Sequence, residues 1–276
     1  MTTAADRWRE SVEAHQDQSK KIQIESDWPQ GDLADTLLPR LKDDPRRTGD
    51  MVLDRLDLEV GSNTSVLDVG GGAGKYALPL ALRSRSVKVV EPSSAMGEVL
   101  EAEAKRARIE NISVVKGLWE DVEVEPAQVV LCASVVYGIT DLKPFILKLE
   151  SHATDRVLIL ACMEPSQSIF SSVWEAVHEE GRNNLPGISE LLSALWELEI
   201  YPDVEMFEPT AGETVPNRET ALQYLRQMLY VQPDTEKDQR LQVLMDDLVV
   251  QTPDGLTIQG ARPRRQVLIS WRPRKI

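Results

Sequence analysis

The sequence predicts an α/β fold, a doubly wound and mostly parallel sheet with helices on both faces. Short runs that are apolar throughout, rather than alternating, indicate strands that are covered on both faces. Helical periodicity between these runs gives the strand–helix alternation of a doubly wound sheet. A cluster of glycines stands where the first of these strands passes into a helix, which is a common position for a ligand-binding loop in such folds. Helical elaborations are expected before and after this core.

The N-terminal region is predicted to be helical. Its first helix has an apolar stripe at helical spacing, formed by Trp8, Val12, His15 and Ile22. Two further helical stretches are expected at 33–41 and 51–58. A single helix of this kind is stable in water only when its stripe docks on something. We therefore expect residues 1–45 to form a mobile lid, with Trp28 near the mouth of the crevice, that packs against the helices carrying Trp174 and Trp196.

Five strands are expected in the central region, at 65–69, 87–91, 112–115, 129–132 and 157–161. Helices connect them, among them 93–107 and a helix whose apolar face carries Phe145 and Leu149. Beyond residue 162 the pattern is mostly helical, with one candidate strand at 204–207 before a final strand at 266–271. We interpret the whole chain as a single domain. Its parts are an N-terminal helical lid (1–50), a cofactor-binding core (51–163), a helical substrate cap with one core strand (164–260) and a terminal strand (261–276).

The strongest functional signal is the glycine-rich segment VLDVGGGAG at residues 66–74. Glycine lets a backbone turn sharply and approach a ligand closely, and the start of a helix offers free N–H groups to an anion. A dinucleotide fingerprint would need a third glycine where Lys75 stands, and a P-loop would need glycine at Val69. What remains is an acidic residue two positions before G-x-G-x-G, formed by Asp68, Gly70, Gly72 and Gly74.

On these residues the sequence resembles the class I S-adenosylmethionine-dependent methyltransferases, whose first motif has this form. The resemblance covers residues 66–162 and the final strand. It implies a Rossmann-like methyltransferase fold with S-adenosylmethionine as cofactor. Glu91 ends the second strand, where this family holds both ribose hydroxyls with one carboxylate. A carboxylate can accept two hydrogen bonds from a vicinal diol.

The resemblance implies further cofactor contacts after the second, third and fourth strands. The family's third motif corresponds to the segment GLWED at 117–121, where an aromatic or apolar residue packs on adenine and an acid accepts from its amino group. Its fourth motif closes the fourth strand. The residues implied in this way are Pro92, Met96, Trp119, Glu120 and Cys132.

Methyl transfer requires little acid–base chemistry from the protein. The methyl carbon is already attached to a cationic sulfur, so alignment and the exclusion of water supply most of the catalysis. A general base is needed only when the nucleophile must lose a proton. Tyr137, at the end of the fourth strand, is the best candidate for a catalytic contact, and His178, one turn after Trp174, is the second. No metal site is predicted.

Composition narrows the possible partners. The chain of 276 residues has 45 acidic and 31 basic side chains, a formal charge of −14, which disfavours nucleic acid and anionic membranes. Two cysteines, no apolar leader and no long apolar stretch favour a cytoplasmic protein. We expect methylation of a small-molecule acceptor. A cofactor-binding regulatory subunit without catalysis and a nicotinamide oxidoreductase on the same fold are the alternatives. The acceptor, the atom methylated and the oligomeric state stay open.

Overall fold

The computed structural model of this chain describes residues 2–25, 43–165, 168–209, 214–252, 255–258 and 265–274. The helix expected at 33–41, and Trp28, lie outside these residues. The chain divides into two compact units, which we call the sheet unit and the helical unit. The sheet unit comprises 31–161, 198–207 and 267–276, and the helical unit comprises 1–30, 162–197 and 208–266.

A seven-stranded sheet forms the centre of the sheet unit. Its strands are β1 (Ser65–Val69), β2 (Ser86–Glu91), β3 (Ile112–Lys116), β4 (Ala127–Ala133), β5 (Ala153–Cys162), β6 (Asp203–Met206) and β10 (Gln266–Trp271). The order is β3-β2-β1-β4-β5-β10-β6. β1 pairs in parallel with both β2 and β4, and β6 pairs antiparallel with β10. The order of the strands reverses between β1 and β4, and in open α/β sheets ligands bind at the carboxyl ends of the strands at such a reversal.

Among the described residues of the sheet unit there are four α-helices, and they fit the expected strand–helix alternation. They are α2 (Met51–Leu56), α3 (Ala77–Ala81), α4 (Ser94–Ala107) and α5 (Leu142–His152). Side-chain caps define two of their starts. Asp50 accepts from the first backbone N–H groups of α2, and the Ser93 hydroxyl accepts from the N–H of Met96 in α4. The predicted α/β fold with a mostly parallel sheet is thereby confirmed.

The helical unit contains five described helices: α1 (Ala4–Glu25), α6 (Ser171–His178), α7 (Ile188–Glu197), α8 (Arg218–Leu229) and α9 (Glu236–Leu248). Asn217 caps α8 by accepting from the N–H of Thr220 at 2.9 Å. A two-bond ion pair ties α8 to α9, with both nitrogen–oxygen distances between Arg226 and Asp238 at 2.7 Å. Asp238 is fully buried, and such a pair is stable only when its hydrogen bonds are satisfied.

Helix α1 is a packed element of the helical unit. Trp8 and Val12 are both 0% exposed. The N–H of Ala4 donates to both carboxylate oxygens of Glu197, at 2.8 and 2.7 Å, which fixes the start of α1 against the end of α7. The helix thus contacts α7, which carries Trp196, and its first turn is bonded to the end of that helix. The proposed mobility of a lid formed by 1–45 stays a prediction.

A second, three-stranded sheet lies in the helical unit and corrects the sequence analysis, which expected one strand between residues 164 and 260. It consists of β7 (Thr214–Val215), β8 (Val249–Thr252) and β9 (Gly255–Ile258), paired antiparallel in the order β7-β9-β8. The sequence holds a signal for it. In the sequence, the turn-favouring residues Pro-Asp-Gly at 253–255 stand between two runs that contain β-branched residues, which is a hairpin pattern. No helix among the described residues is long and apolar enough to cross a membrane.

Candidate functional site

The glycine-rich loop leaves the carboxyl end of β1 beside the carboxyl end of β4. Gly70 has a φ of +71°, and a Cβ there would come within 2.4 Å of a methyl group of Val135, which follows β4. The N–H of Gly70 donates to the carbonyl of Val90 in β2 at 2.8 Å. Only a residue without a side chain can turn the chain here, because both its backbone conformation and its close neighbour exclude a Cβ.

Gly72 and Gly74 also have positive φ values, +55° and +88°, but their surroundings differ. A Cβ on Gly74 would lie 2.8 Å from Cγ of Leu78, so this glycine allows the loop to pack on α3. A Cβ on Gly72 would meet no described atom within 4 Å. Gly72 therefore leaves its backbone exposed on the side where a ligand could approach.

Glu91 occupies the carboxyl end of β2 and is oriented by backbone groups. Its Oε2 accepts from the N–H of Gly72 at 2.8 Å, and its Oε1 accepts from the N–H of Ser93 at 2.9 Å. The side chain is 7% exposed. Each carboxylate oxygen has two lone pairs, so these two contacts leave acceptor capacity on both oxygens. Glu91 thus joins the glycine loop to the start of α4 and can still bind a ligand.

Asp68 is the second carboxyl group of the site and is almost completely buried at 1% exposure. Its Oδ1 has no hydrogen-bond partner among the described residues. Burial, and secondarily the negative charge of Glu91, raise the pKa of Asp68 to about 7. A Cβ on Gly71 would lie 2.8 Å from Oδ2, so the loop runs directly over this carboxyl group.

The loop after β3 brings the next predicted residues close to Glu91. The N–H of Gly117 donates to the Glu91 carbonyl at 3.2 Å. Trp119 is 3% exposed, and its ring makes an edge contact with the ring of His152 at 4.9 Å between centroids. Leu118 is 55% exposed, and Glu120 is exposed as well. The apolar side chain that this loop presents to solvent is therefore Leu118, whereas Trp119 packs on α5.

The end of β4 contributes Cys132, which is fully buried and pairs in register with Val69 of β1. Burial, then the charges of Asp68 and Glu120, raise the pKa of its thiol, so the group is neutral. The sequence analysis placed Tyr137 at the end of the fourth strand, and this position is wrong. β4 stops at Ala133, and Tyr137 lies in a 3-10 turn, Val136–Gly138, at 6% exposure.

The other predicted residues lie in two places. Pro92, exposed, and Met96, half-buried, follow Glu91 at the start of α4. His178 belongs to the helical unit, where its ring stacks on Trp174 with 4.1 Å between centroids. Its Nε2 hydrogen-bonds the carbonyl of Leu229 at 2.8 Å. Burial lowers the pKa of His178 to about 4. A catalytic role for His178 stays a prediction.

Comparison with known proteins identifies the core. Residues 66–153 match a family model described as a methyltransferase domain. This segment is therefore similar to methyltransferase domains. It contains the glycine loop, both carboxyl groups and the loop after β3. The match supports the prediction of a class I methyltransferase core with S-adenosylmethionine as its cofactor.

Two solved structures are similar in fold to this chain. The YcgJ protein of Bacillus subtilis is 14% identical, with a TM-score of 0.55, and the match covers 82% of this chain and 99% of that one. An S-adenosylmethionine-dependent methyltransferase of Thiobacillus denitrificans, solved with S-adenosyl-L-homocysteine, is 12% identical with a TM-score of 0.52, over 87% of this chain and 96% of that one. At these identities the likeness establishes the fold.

A relative in Haemophilus influenzae, an uncharacterized protein, is 28% identical over 159 residues. The match covers 56% of this chain and 58% of that protein. The chain therefore matches little more than half the length of this relative, and the match brings no function with it.

Within the matched segment the structure brings together Asp68, Gly72, Glu91 and the loop after β3. Sequence reasoning missed that Glu91 is held by two backbone N–H groups. It also missed Ser134, a non-glycine residue with a φ of +61° directly after β4. Such a conformation is uncommon outside glycine and concentrates at functional positions. The bond from Gly72 to Glu91 leaves no local pattern in the sequence, because the two residues are 19 positions apart.

Proposed function

We propose that this protein transfers a methyl group from S-adenosylmethionine to a small-molecule acceptor. The observation that carries the proposal is the Glu91 carboxylate, which the N–H groups of Gly72 and Ser93 hold at 2.8 and 2.9 Å at the carboxyl end of β2. A carboxylate fixed in this way, beside a strand-order reversal, is prepared to accept two hydrogen bonds from a ribose diol. The matching family model supports the same chemistry.

The residues present fit the cofactor in three respects. Gly72 has open space where a Cβ would be, so a ligand can lie against its backbone. Asp68 has a buried oxygen without a partner among the described residues, which a donor group of a ligand would satisfy. The negative charge of Glu91 suits a ligand that carries a cationic sulfur and an ammonium group.

In the proposed reaction Glu91 binds the ribose, and Leu118 offers an apolar contact for the adenine face. S-adenosylmethionine, when bound, supplies a methyl group on a positively charged sulfur, which is a good leaving group. The task of the chain is to align this group with the acceptor and to exclude water. Glycines 70, 72 and 74 help to align the bound cofactor, because they let the loop backbone take the positions that the neighbouring side chains leave open.

The acceptor is proposed to be a small molecule. The charge of −14 opposes the binding of polyanions such as nucleic acid. The Tyr137 hydroxyl, in the turn after β4, is proposed to contact the acceptor. We place the protein in the cytoplasm, where reduced thiols are stable, since neither Cys132 nor Cys162 forms a disulfide.

Two measurements test the proposal. Mass spectrometry of the protein purified under native conditions should detect S-adenosylmethionine or S-adenosylhomocysteine as a bound small molecule. The protein should then convert S-adenosylmethionine to S-adenosylhomocysteine in the presence of a fraction of small metabolites, and the Glu91→Ala protein should not. Binding of the cofactor without turnover on any fraction would favour the regulatory alternative. Turnover on a macromolecular fraction alone would contradict the proposed acceptor class.

A further inference from the structure

We propose that Lys148 is a positioning residue that holds the loop after β3, residues 117–122, in the conformation that receives the adenine ring. The inference deepens the proposed function and rests on it. Lys148 lies in α5, within the same sheet unit as the loop. No motif of the sequence points to it.

The Lys148 ammonium group makes three contacts with the loop. It donates to the carbonyl of Val122 at 2.7 Å and to the carbonyl of Glu120 at 3.2 Å. It also lies over the ring of Trp119, 4.9 Å from the centroid. A cation that binds two carbonyls and one aromatic face fixes a loop more firmly than a single neutral hydrogen bond does.

The loop has its own turn, which exposes Leu118. The Leu118 carbonyl accepts from the N–H groups of Asp121 and Val122, at 3.0 and 3.1 Å. This turn leaves the carbonyls of Glu120 and Val122 to be satisfied from outside, and Lys148 satisfies both. Without the ammonium group, the second half of the turn would lose its link to α5, although its internal bonds would stay.

The opposite end of the loop is tied to the ribose-binding residue. The N–H of Gly117 donates to the Glu91 carbonyl at 3.2 Å, and a Cβ on Gly117 would lie 2.5 Å from a methyl group of Val122. The two ends of the loop therefore pack on each other, one held by Glu91 and the other by Lys148. A movement of the Lys148 end would shift Leu118 relative to Glu91, and so the adenine contact relative to the ribose contact.

Trp119 completes the support from α5. Its ring lies against His152 at an interplanar angle of 71°, and His152 Nδ1 hydrogen-bonds the Lys148 carbonyl at 2.8 Å. One turn of α5 thus contacts the loop through an ammonium group and an aromatic edge. This arrangement fixes Trp119 as the base of the loop and leaves Leu118 as its exposed apolar side chain.

The test compares Lys148→Met, Lys148→Arg and the control Lys143→Met. Methionine keeps an unbranched apolar stem but has no charge, and arginine keeps the charge. Lys143 is an exposed lysine of the same helix. Calorimetry would measure the affinity of each protein for S-adenosylhomocysteine and for S-inosylhomocysteine, which differs only at the adenine amino position. Thermal unfolding would be measured alongside.

Lys148→Met should weaken S-adenosylhomocysteine binding about tenfold and reduce the preference for the adenine ligand about threefold, because the loop no longer meets the base in register. Lys148→Arg should restore most of both, and Lys143→Met should match wild type. Equal weakening of both ligands together with a lowered melting temperature would overturn the inference, since that is a general loss of structure. Unchanged affinity in Lys148→Met would also overturn it. A wild-type protein that binds neither ligand would instead refute the proposed function.

Discussion

Removing the Glu91 carboxylate should abolish most cofactor affinity while leaving a folded protein. In Glu91→Ala the ribose hydroxyls lose one acceptor that serves both of them. Two hydrogen bonds to a charged acceptor correspond to about 2–4 kcal/mol, or roughly 30- to 1000-fold in affinity. The strand itself should persist, because Glu91 is its last residue and its backbone pairing with β3 does not depend on the side chain.

The structure adds a stability cost to this prediction. The N–H groups of Gly72 and Ser93 lose their acceptor, and they are only partly accessible to water. An unsatisfied buried donor costs about 1–3 kcal/mol, and water entering the vacated crevice offsets part of it. We therefore expect the free energy of unfolding to fall by about 1–3 kcal/mol. The pKa of Asp68 should fall too, because the Glu91 charge is one of the two causes that raise it.

Calorimetry with S-adenosylhomocysteine and urea unfolding measure the two effects separately. Glu110→Ala is a suitable control, since Glu110 is an exposed glutamate just after α4 in the same unit. It should leave both quantities at the wild-type value. If Glu91→Ala bound the ligand within about threefold of wild type, the ribose assignment would be refuted.

Three further predictions concern the neighbouring groups. Asp68 has a pKa of about 7 against an ordinary 3.8, so its neutral form contributes stability at low pH that is lost as the pH rises through 7. Asp68→Asn should therefore be more stable than wild type by about 2–4 kcal/mol at pH 8 and about equally stable near pH 4. Urea-unfolding stabilities of the two proteins that run parallel across this pH range would contradict the prediction. Burial lowers the pKa of His15 and His178 from 6.5 to about 4, so the stability that their neutral rings contribute is present above pH 6.5 and is lost as the pH falls through 4. Hydrogen exchange in the helical unit should accelerate over that range. Constant protection of its amides would count against this prediction. Gly74→Ala should destabilise the fold by about 1–3 kcal/mol, because its Cβ would lie 2.8 Å from Cγ of Leu78. Gly72→Ala has open space for its Cβ, so it should lose more ligand affinity than stability. If thermal unfolding and calorimetry gave the reverse order, the assignment of the loop would be refuted.

The sequence predicted the sheet well because its strands are apolar on both faces. Each predicted strand from 65–69 to 157–161 overlaps an observed strand, and so does 204–207. The predicted site depends on the same pattern. Asp68 and Glu91 lie at the carboxyl ends of adjacent parallel strands, which pair in register, so locating the strands was enough to bring these residues together.

The remaining features depend on contacts that no local pattern encodes. β8 follows α9 without a break, so the helical periodicity of 241–249 concealed the start of a strand. The contact of Lys148 with the carbonyls of Glu120 and Val122 joins residues 28 and 26 positions apart, and a surface lysine on a helix gives no sign of such a partner. Likewise, a tryptophan just after a strand, such as Trp119, can be either a ligand contact or a core residue. Only its packing on α5 shows where the ring lies.

The most direct test of the account is a side-by-side titration of the purified protein with S-adenosylhomocysteine and with NAD. The glycine loop, with Lys75 where a dinucleotide fingerprint needs glycine, and the Glu91 carboxylate held by Gly72 predict one binding site for S-adenosylhomocysteine and no heat with NAD. The Glu91→Ala protein should lose the S-adenosylhomocysteine signal. Saturable binding of NAD together with no binding of S-adenosylhomocysteine would contradict the assignment of a methyltransferase site.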